Sequence, residues 1–362
     1  MVLNTDFLYL LENICRALHG GQPVGEVRFE DLQAMAHKQA LDGLAYDIPG
    51  IVMPGDNVSR LKCIGNFVAI EKQNRWMDSQ VARLARIFDE HGIRYAVMKG
   101  QTCAAFWPQP AHRMPGDIDV YVVPGQFEMA GSLLVKLGAK LVDQTMLHST
   151  YRLGKLEIEL HFAVQKLQFP LYHRRLKRMT AIEFDSAKND VWQNIGGYDV
   201  RVLPDVLNVV LLTTHALNHI ITGGLGLRQV IDWQMVLKAK AATLDWDRLM
   251  DYLGMLHLRQ MFFVLAHVNV RFLGMDESMF SSHGIDVNTN GVRQMSEQLM
   301  KWIEVCGNFG HSMDLGIGTI YMFRYYGLFF LNLVRFFRLS PMEMSVWPWM
   351  KAYRAIAHTN QI

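Results

Sequence analysis

With 362 residues, half of them hydrophobic and 19% charged, the chain is long enough for two domains and too apolar to be disordered. A net charge of +2 makes no strong case for a nucleic-acid partner or an anionic membrane surface. Four scattered cysteines, Cys15, Cys63, Cys103 and Cys306, show no Cys-x-x-Cys or metal spacing, which predicts free buried thiols in a reducing, cytoplasmic compartment.

The chain begins helical. Acidic residues near Met1–His19 and the lack of a basic start argue against a signal peptide. Phe7, Leu10, Leu11, Ile14 and Leu18 recur at helical spacing, and Phe29 to Leu41 reads as a second helix. After the loop at Pro49 and Pro54-Gly55, Asn57 to His91 reads as one long amphipathic helix. Its apolar stripe is predicted to run through Leu61, Ile64, Phe67, Val68, Val81, Leu84 and Phe88, with Gly92 as the stop.

Ile93 to Met98 reads as a strand that ends at Lys99-Gly100, and Gln101 to Trp107 suits a helix until Pro108. Strand, glycine turn and helix start together present backbone N–H groups suited to phosphate. Arg113 then precedes Asp117-Ile-Asp119 and a β-branched run to Val123. On a strand, Asp117 and Asp119 share one face while Ile118, Val120 and Val122 take the other. Two carboxylates about 7 Å apart along a strand repel unless a cation lies between them, and hard oxygen ligands suit Mg²⁺ or Mn²⁺. The plainer alternative is a strand opening at a turn with two solvated aspartates.

Gln126 to Leu137 is helical and stops at Gly138. Ala139–Val142 and Leu147–Leu153 read as strands, and Gly154-Lys155 turns tightly into Leu156–His161, where strict alternation puts Glu157, Glu159 and His161 on one face. The basic stretch Phe169 to Met179 reads as a solvated helix face or loop, with a clamp for substrate anions as the alternative. Tyr198 to Leu203 is a last strand. From Asp205, taken as a helix N-cap, everything reads helical: Val206–Ile221, a Gly223-Gly224 break, Leu227–Lys240, Asp245 onward, His257–Leu273, Val292–Cys306 and Gly318–Leu339, with a turn-rich stretch at Asp276–Asn290. Arg324, Asn332, Arg335 and Arg338 interrupt the last helix, so no run reaches the ~20 apolar residues a membrane span requires. In His215-x-x-x-His219 and Arg228-x-x-x-Asp232, a spacing of four places each pair one turn apart. Zinc is a weak prospect for the histidines without a third ligand. Helix packing is the plainer reading. The one preferred here folds both helices at Gly223-Gly224 so that the four residues wall an active cleft, with Asp232 holding Arg228 or a histidine in place.

Lys99-Gly100, Arg113-x-x-x-Asp117-Ile-Asp119, Glu159-Leu-His161, His215-x-x-x-His219 and Arg228-x-x-x-Asp232-Trp233 together resemble the uncharacterised nucleotidyltransferase family of the DNA-polymerase-β-like superfamily. The resemblance covers roughly Arg94 to Gly274. It implies an α+β fold: a small polymerase-β-like sheet (93–203) between an N-terminal helical region (1–92) and a larger C-terminal helical domain (204–362). It also implies Asp117, Asp119 and Glu159 as catalytic metal ligands for Mg²⁺ or Mn²⁺, with Glu159 preferred over Glu157 on resemblance alone and a role as base open to it. Gly100 matches the first glycine of the phosphate-holding turn, and Gln101 stands where the second glycine or serine would be. Lys99 and Arg113 are the cations nearest the motif, with a salt bridge from Arg113 to Asp117 as the structural alternative. The implied reaction moves a nucleoside monophosphate from a nucleoside triphosphate, ATP among them, to a hydroxyl of a small-molecule, sugar, peptide or protein acceptor. Two other readings are a nucleotide-binding regulator or antitoxin-like partner, favoured by Gln101, and a metal-dependent glycosyltransferase built on Asp-x-Asp.

Overall fold

The computed structural model describes residues 3–22, 25–145, 147–185, 189–308 and 319–359; Gly318, taken above as a helix start, lies outside them. The chain opens with α1 (Thr5–His19), β1 (Val27–Arg28), α2 (Phe29–Lys38), α3 (Asp42–Ala45) and β2 (Ile51–Val52), the two short strands pairing in parallel. Next comes α4 (Asn57–Glu90), started by Asp56, whose side chain accepts from the Ser59 N–H at 2.8 Å.

A seven-stranded sheet follows: β3 (Tyr95–Met98), the short α5 (Gly100–Ala104), β4 (Ile118–Val122), α6 (Phe127–Lys136), β5 (Lys140–Gln144), β6 (His148–Leu153), β7 (Leu156–His161), α7 (Pro170–Thr180), β8 (Val191–Ile195) and β9 (Tyr198–Val202). Its order is β5-β6-β7-β4-β3-β9-β8. The β3–β9 and β4–β7 pairs are parallel and the rest antiparallel. Alternation divides the central strands between two faces. Ile118, Val120, Val122, Ile158 and Leu160 pack with Met77, Val81, Leu84 and Phe88 of α4 and Leu134 of α6. On the other face, Ala96, Met98 and Tyr121 join a core that continues through the N-terminal helices and the helices after β9.

Those later helices are α8 (Asp205–Thr222), α9 (Leu227–Lys240), α10 (Trp246–Met255), α11 (Arg259–Leu273), α12 (Ser278–Ser281), α13 (Asn290–Cys306), α14 (Thr319–Arg335) and α15 (Pro341–Thr359). No described helix is long and apolar enough to cross a membrane. Of the cysteines, Cys15 is partly exposed and Cys63, Cys103 and Cys306 are buried.

Three expectations change. The stripe predicted along α4 holds only in its C-terminal half: Leu61, Ile64 and Val68 are exposed, whereas Val81, Leu84 and Phe88 are buried. A 34-residue helix outruns the short strands it covers, so its first turns project past the sheet. Asp205 is the first helical residue and not the cap; Pro204 takes that place, and Asp205 instead pairs with Lys240 at 3.1 Å. Finally, β8 is a strand that periodicity did not mark. It lies at the sheet edge, half exposed, where alternation carries little apolar signal.

Candidate active site

One polar cleft of about 250 Å³ lies between the sheet and the α8–α9 pair, lined by residues from four parts of the chain. From β3 and its turn come Lys99 and Gly100, from the following loop Arg113, Gly116 and Asp117, from β4 and β7 Asp119 and Glu159, and from α8 and α9 His215, His219, Arg228 and Asp232.

Register brings the carboxylates together. β4 and β7 run parallel with Asp119 directly opposite Glu159, and strand neighbours project to the same face. Asp117 sits at the mouth, exposed, one residue before β4. Glu157 belongs elsewhere: it pairs with Arg152 at 3.1 Å across the hairpin and does not line this cleft.

Asp119 is buried and heavily engaged. Lys99 Nζ lies 2.6 Å from its Oδ1, and His161 Nε2 lies 2.9 Å from the same oxygen. Burial would push the Asp119 carboxyl up, but the Lys99 charge and the His161 hydrogen bond outweigh it and hold the group well below the usual range. Burial likewise pulls Lys99 and His161 down, and their carboxylate partners carry both above their ordinary values. Lys99 adopts φ 53°, ψ −144°, a left-handed conformation costly for a residue with a Cβ; the strand end thereby turns into α5. Asp117 contrasts with this pair. Partial desolvation, then the Asp119 charge, push it up to about 6.

Beside Glu159 lies a cluster that the sequence reading missed. His148, Glu159 and His161 place ligand atoms within 4.8 Å of one another, with His161 Nε2 at 3.2 Å and His148 Nε2 at 3.5 Å from the Glu159 carboxylate. Among the described residues this is the three-membered group with metal-like spacing; Asp117 and Asp119 flank it. Its register was legible, since a two-residue turn at Gly154-Lys155 pairs Leu153 with Leu156 and, counting back, His148 with His161.

Arg113 departs from its anticipated alternative partner. Its Nε and Nη2 donate to the two Asp232 oxygens, both at 2.7 Å, in a buried fork, so its ion pair is with α9 and not with Asp117. Burial lowers Arg113, and Asp232 more than restores it, to above the ordinary value. Asp232 also accepts from Trp107 Nε1 at 2.9 Å. It therefore holds Arg113 in place. Arg228 Nη1 donates to the Met114 carbonyl at 3.1 Å, as Arg113 Nη1 does at 3.2 Å, and burial with the neighbouring Arg113 charge lowers Arg228 to about 10, against the opposing Asp232 charge. Asn74 on α4 holds the same loop from behind, donating to Ala111 O at 2.7 Å and Arg113 O at 2.9 Å.

Gln101 is also relocated. Its side chain turns away from the cleft into α4, where Nε2 donates to Asp78 Oδ1 at 2.5 Å. The amides of Gly100 and Gln101 open α5, where a helix leaves N–H groups without intrahelical acceptors. His215 and His219 share an N–H···N hydrogen bond, Nε2 to Nε2 at 3.0 Å. Burial, then the Lys99 charge, lower both, His219 to about 3, so this wall is neutral. The basic helix α7 contributes nothing to the cleft lining.

A family described as uncharacterised nucleotidyltransferase matches residues 25–274. Two solved structures are similar at low level. The antibiotic-resistance factor ANT(2'')-Ia shares 11% identity at a TM-score of 0.37, over 54% of this chain and 97% of its own. An antigenic nucleotidyltransferase-like protein from Paracoccidioides brasiliensis shares 16% at 0.34, over 50% and 87%. No curated protein matches. The family match spans more than half of the chain, and the protein is a member of the uncharacterised nucleotidyltransferase family, a transferase of nucleotidyl groups.

Proposed function

We propose that the cleft binds a nucleoside triphosphate with a divalent cation and transfers the nucleotidyl group to a hydroxyl of a small-molecule, sugar, peptide or protein acceptor. The observation that carries this reading is the charge of the wall. Lys99, Arg113 and Arg228 oppose Asp117, Asp119, Glu159 and Asp232, three positive charges against four negative, with the two histidines neutral. A cleft of net −1 repels a triphosphate unless a cation enters with it. The oxygen donors of Asp117, Asp119 and Glu159 fit Mg²⁺ or Mn²⁺, with the adjoining imidazoles of His148 and His161 better suited to Mn²⁺.

Asp117, Asp119 and Glu159 would hold the cation, which supplies charge neutralisation at the phosphates and polarisation of the attacking hydroxyl. Lys99 and Arg228 face the phosphates as fixed charges, and Arg113 adds its charge while its fork stays on Asp232. Gly100 holds φ +39°, which residues with a side chain rarely adopt, and its bare backbone leaves the turn open to the phosphates. His161 orients Asp119 and Glu159 together through hydrogen bonds. Residues 93–203 would be the catalytic unit, supplying the sheet and its carboxylates, with the helical region 1–92 backing the sheet through α4 and the region 204–362 closing the cleft through α8 and α9. The scattered cysteines, without a Cys-x-x-Cys pair, suit the reducing cytoplasm.

The reading is tested by incubating the protein with each α-labelled nucleoside triphosphate, Mg²⁺ or Mn²⁺, and candidate acceptors. Label transfer with pyrophosphate release is expected only with the metal. A second reading, a nucleotide-binding regulator with little turnover, draws on the Lys99–Asp119 ion pair, which puts a built-in cation on a carboxylate that metal chemistry needs. Metal-dependent binding with no pyrophosphate release decides for it.

A further inference from the structure

Gly116 and Asp117 line two cavities, not one. Across them from the charged cleft lies a more open hollow of about 290 Å³ between α4 and the β6–β7 turn, walled by Gln73, Trp76, Met77, Lys155, Leu156 and Glu157. The two hollows differ in chemistry. The cleft offers arginine, lysine and carboxylate. Beyond the shared Asp117, the outer hollow offers an indole, a primary amide and one charge of each sign, Glu157 being shared with Arg152 at 3.1 Å.

Size points the same way. Pockets for drug-sized ligands fill roughly 300–1,000 Å³. Each hollow alone falls short of that range, and both are lined by Gly116 and Asp117, so a ligand larger than either has to use the two together across those residues. Trp76 is 38% exposed although Met77 beside it is 2% exposed, so the helix buries one neighbour against the sheet and leaves the large aromatic at the hollow. An indole left partly to water beside a phosphate-binding cleft is a stacking surface for a flat ring.

We infer that the outer hollow is the nucleoside subsite of the triphosphate, with the nucleobase stacked on Trp76, the phosphates in the cleft, and Asp117 between them at the α-phosphate. This inference rests on the nucleotide reading of the cleft. Stacking accepts every base, because each has a π face. The Gln73 amide, carrying both donor and acceptor, imposes no strong choice on the base edge. The four common triphosphates therefore bind within about tenfold of one another, purines tightest for their larger ring.

The test is calorimetry on the full chain with Mn²⁺, using a non-hydrolysable nucleoside triphosphate analogue and, separately, inorganic tripolyphosphate. Trp76→Ala is expected to weaken analogue binding by roughly tenfold or more and leave tripolyphosphate unchanged, while Trp76→Phe keeps most of the affinity. Circular dichroism checks that each variant folds, and Lys155→Ala on the opposite wall provides a second probe with a smaller, analogue-only loss. The inference is overturned if Trp76→Ala leaves the analogue's affinity intact or lowers both ligands equally. In each of those cases the wild type still binds nucleotide and the cleft reading stands. A wild type that binds neither ligand overturns both.

Discussion

Asp117 and Asp119 are two residues apart and chemically unlike in place. Asp119 is buried against Lys99 and His161, whereas Asp117 stands open at the cleft mouth with its carboxyl raised to about 6. Asp117→Asn is therefore expected to abolish metal-dependent nucleotide binding in calorimetry while the chelated apo-protein keeps or gains stability. The sign follows from linkage. A carboxyl raised in the folded state stabilises below its unfolded value near 3.8, and that contribution is lost as pH rises through about 6. Urea titrations of the chelated protein at pH 5 and 8 should show the wild type losing more stability over that interval than Asp117→Asn. Asp119→Asn should differ by lowering thermal stability as well, because it removes the carboxylate from a buried lysine and histidine.

Arg113 and Asp232 make the second residue-scale case. Their side chains are 6% and 5% exposed, and removing one partner strands a buried charge. Arg113→Ala should cost about 3–5 kcal/mol in denaturant unfolding. Replacing both, Arg113→Met with Asp232→Leu, should recover most of that stability. Equal losses in the single and double variants would show that the pair contributes through packing alone.

At the scale of elements, the site depends on how α4, the hairpin β6–β7 and the pair α8–α9 meet the sheet. α15 provides a separate, pH-sensitive attachment. Glu343 in its first turn is buried and accepts from the backbone N–H groups of Gln168 and Phe169, at 2.9 Å for the latter. Burial lifts its carboxyl to about 7 against the opposing effect of those two hydrogen bonds. The folded value lies above the unfolded one, near 4.5, so the contribution is complete below pH 4.5 and is lost as pH rises toward 7. The expected loss over that window is on the order of 2–3 kcal/mol. Glu343→Gln should flatten the dependence, as read from unfolding midpoints between pH 4.5 and 8; an unchanged slope would remove Glu343 as its source.

At the scale of the whole molecule, one continuous core takes residues from the N-terminal helices, from the cleft-side face of the sheet and from α8 to α15. Gln39 in the N-terminal region donates to Ile303 O on α13 at 2.9 Å and accepts from Leu227 N on α9 at 3.0 Å. A fragment of residues 93–203 would leave Ala96, Met98, Tyr121 and the cleft carboxylates facing water. It is expected to lack a cooperative thermal transition and near-ultraviolet circular dichroism. A fragment that melts cooperatively would show that the sheet supports itself on the α4-independent part of its other face.

The sequence by itself determined what depends on local period and short loops. The alternation around Asp117-Ile-Asp119 separated carboxylates from core residues, and the Gly154-Lys155 turn set the register of Glu159 and His161, because strand faces repeat every two residues and a two-residue turn leaves no slack. Helical spacing also placed His215 and His219 one turn apart. Tertiary structure decided who pairs with whom across long separations. Arg113 finds Asp232 119 residues away, Lys99 closes on Asp119, Gln101 turns to Asp78, and half of the α4 stripe stays in water. No local signal fixes these outcomes. A buried arginine takes whichever carboxylate the packed helices bring within reach, and an apolar stripe is buried only where a partner surface extends far enough to cover it.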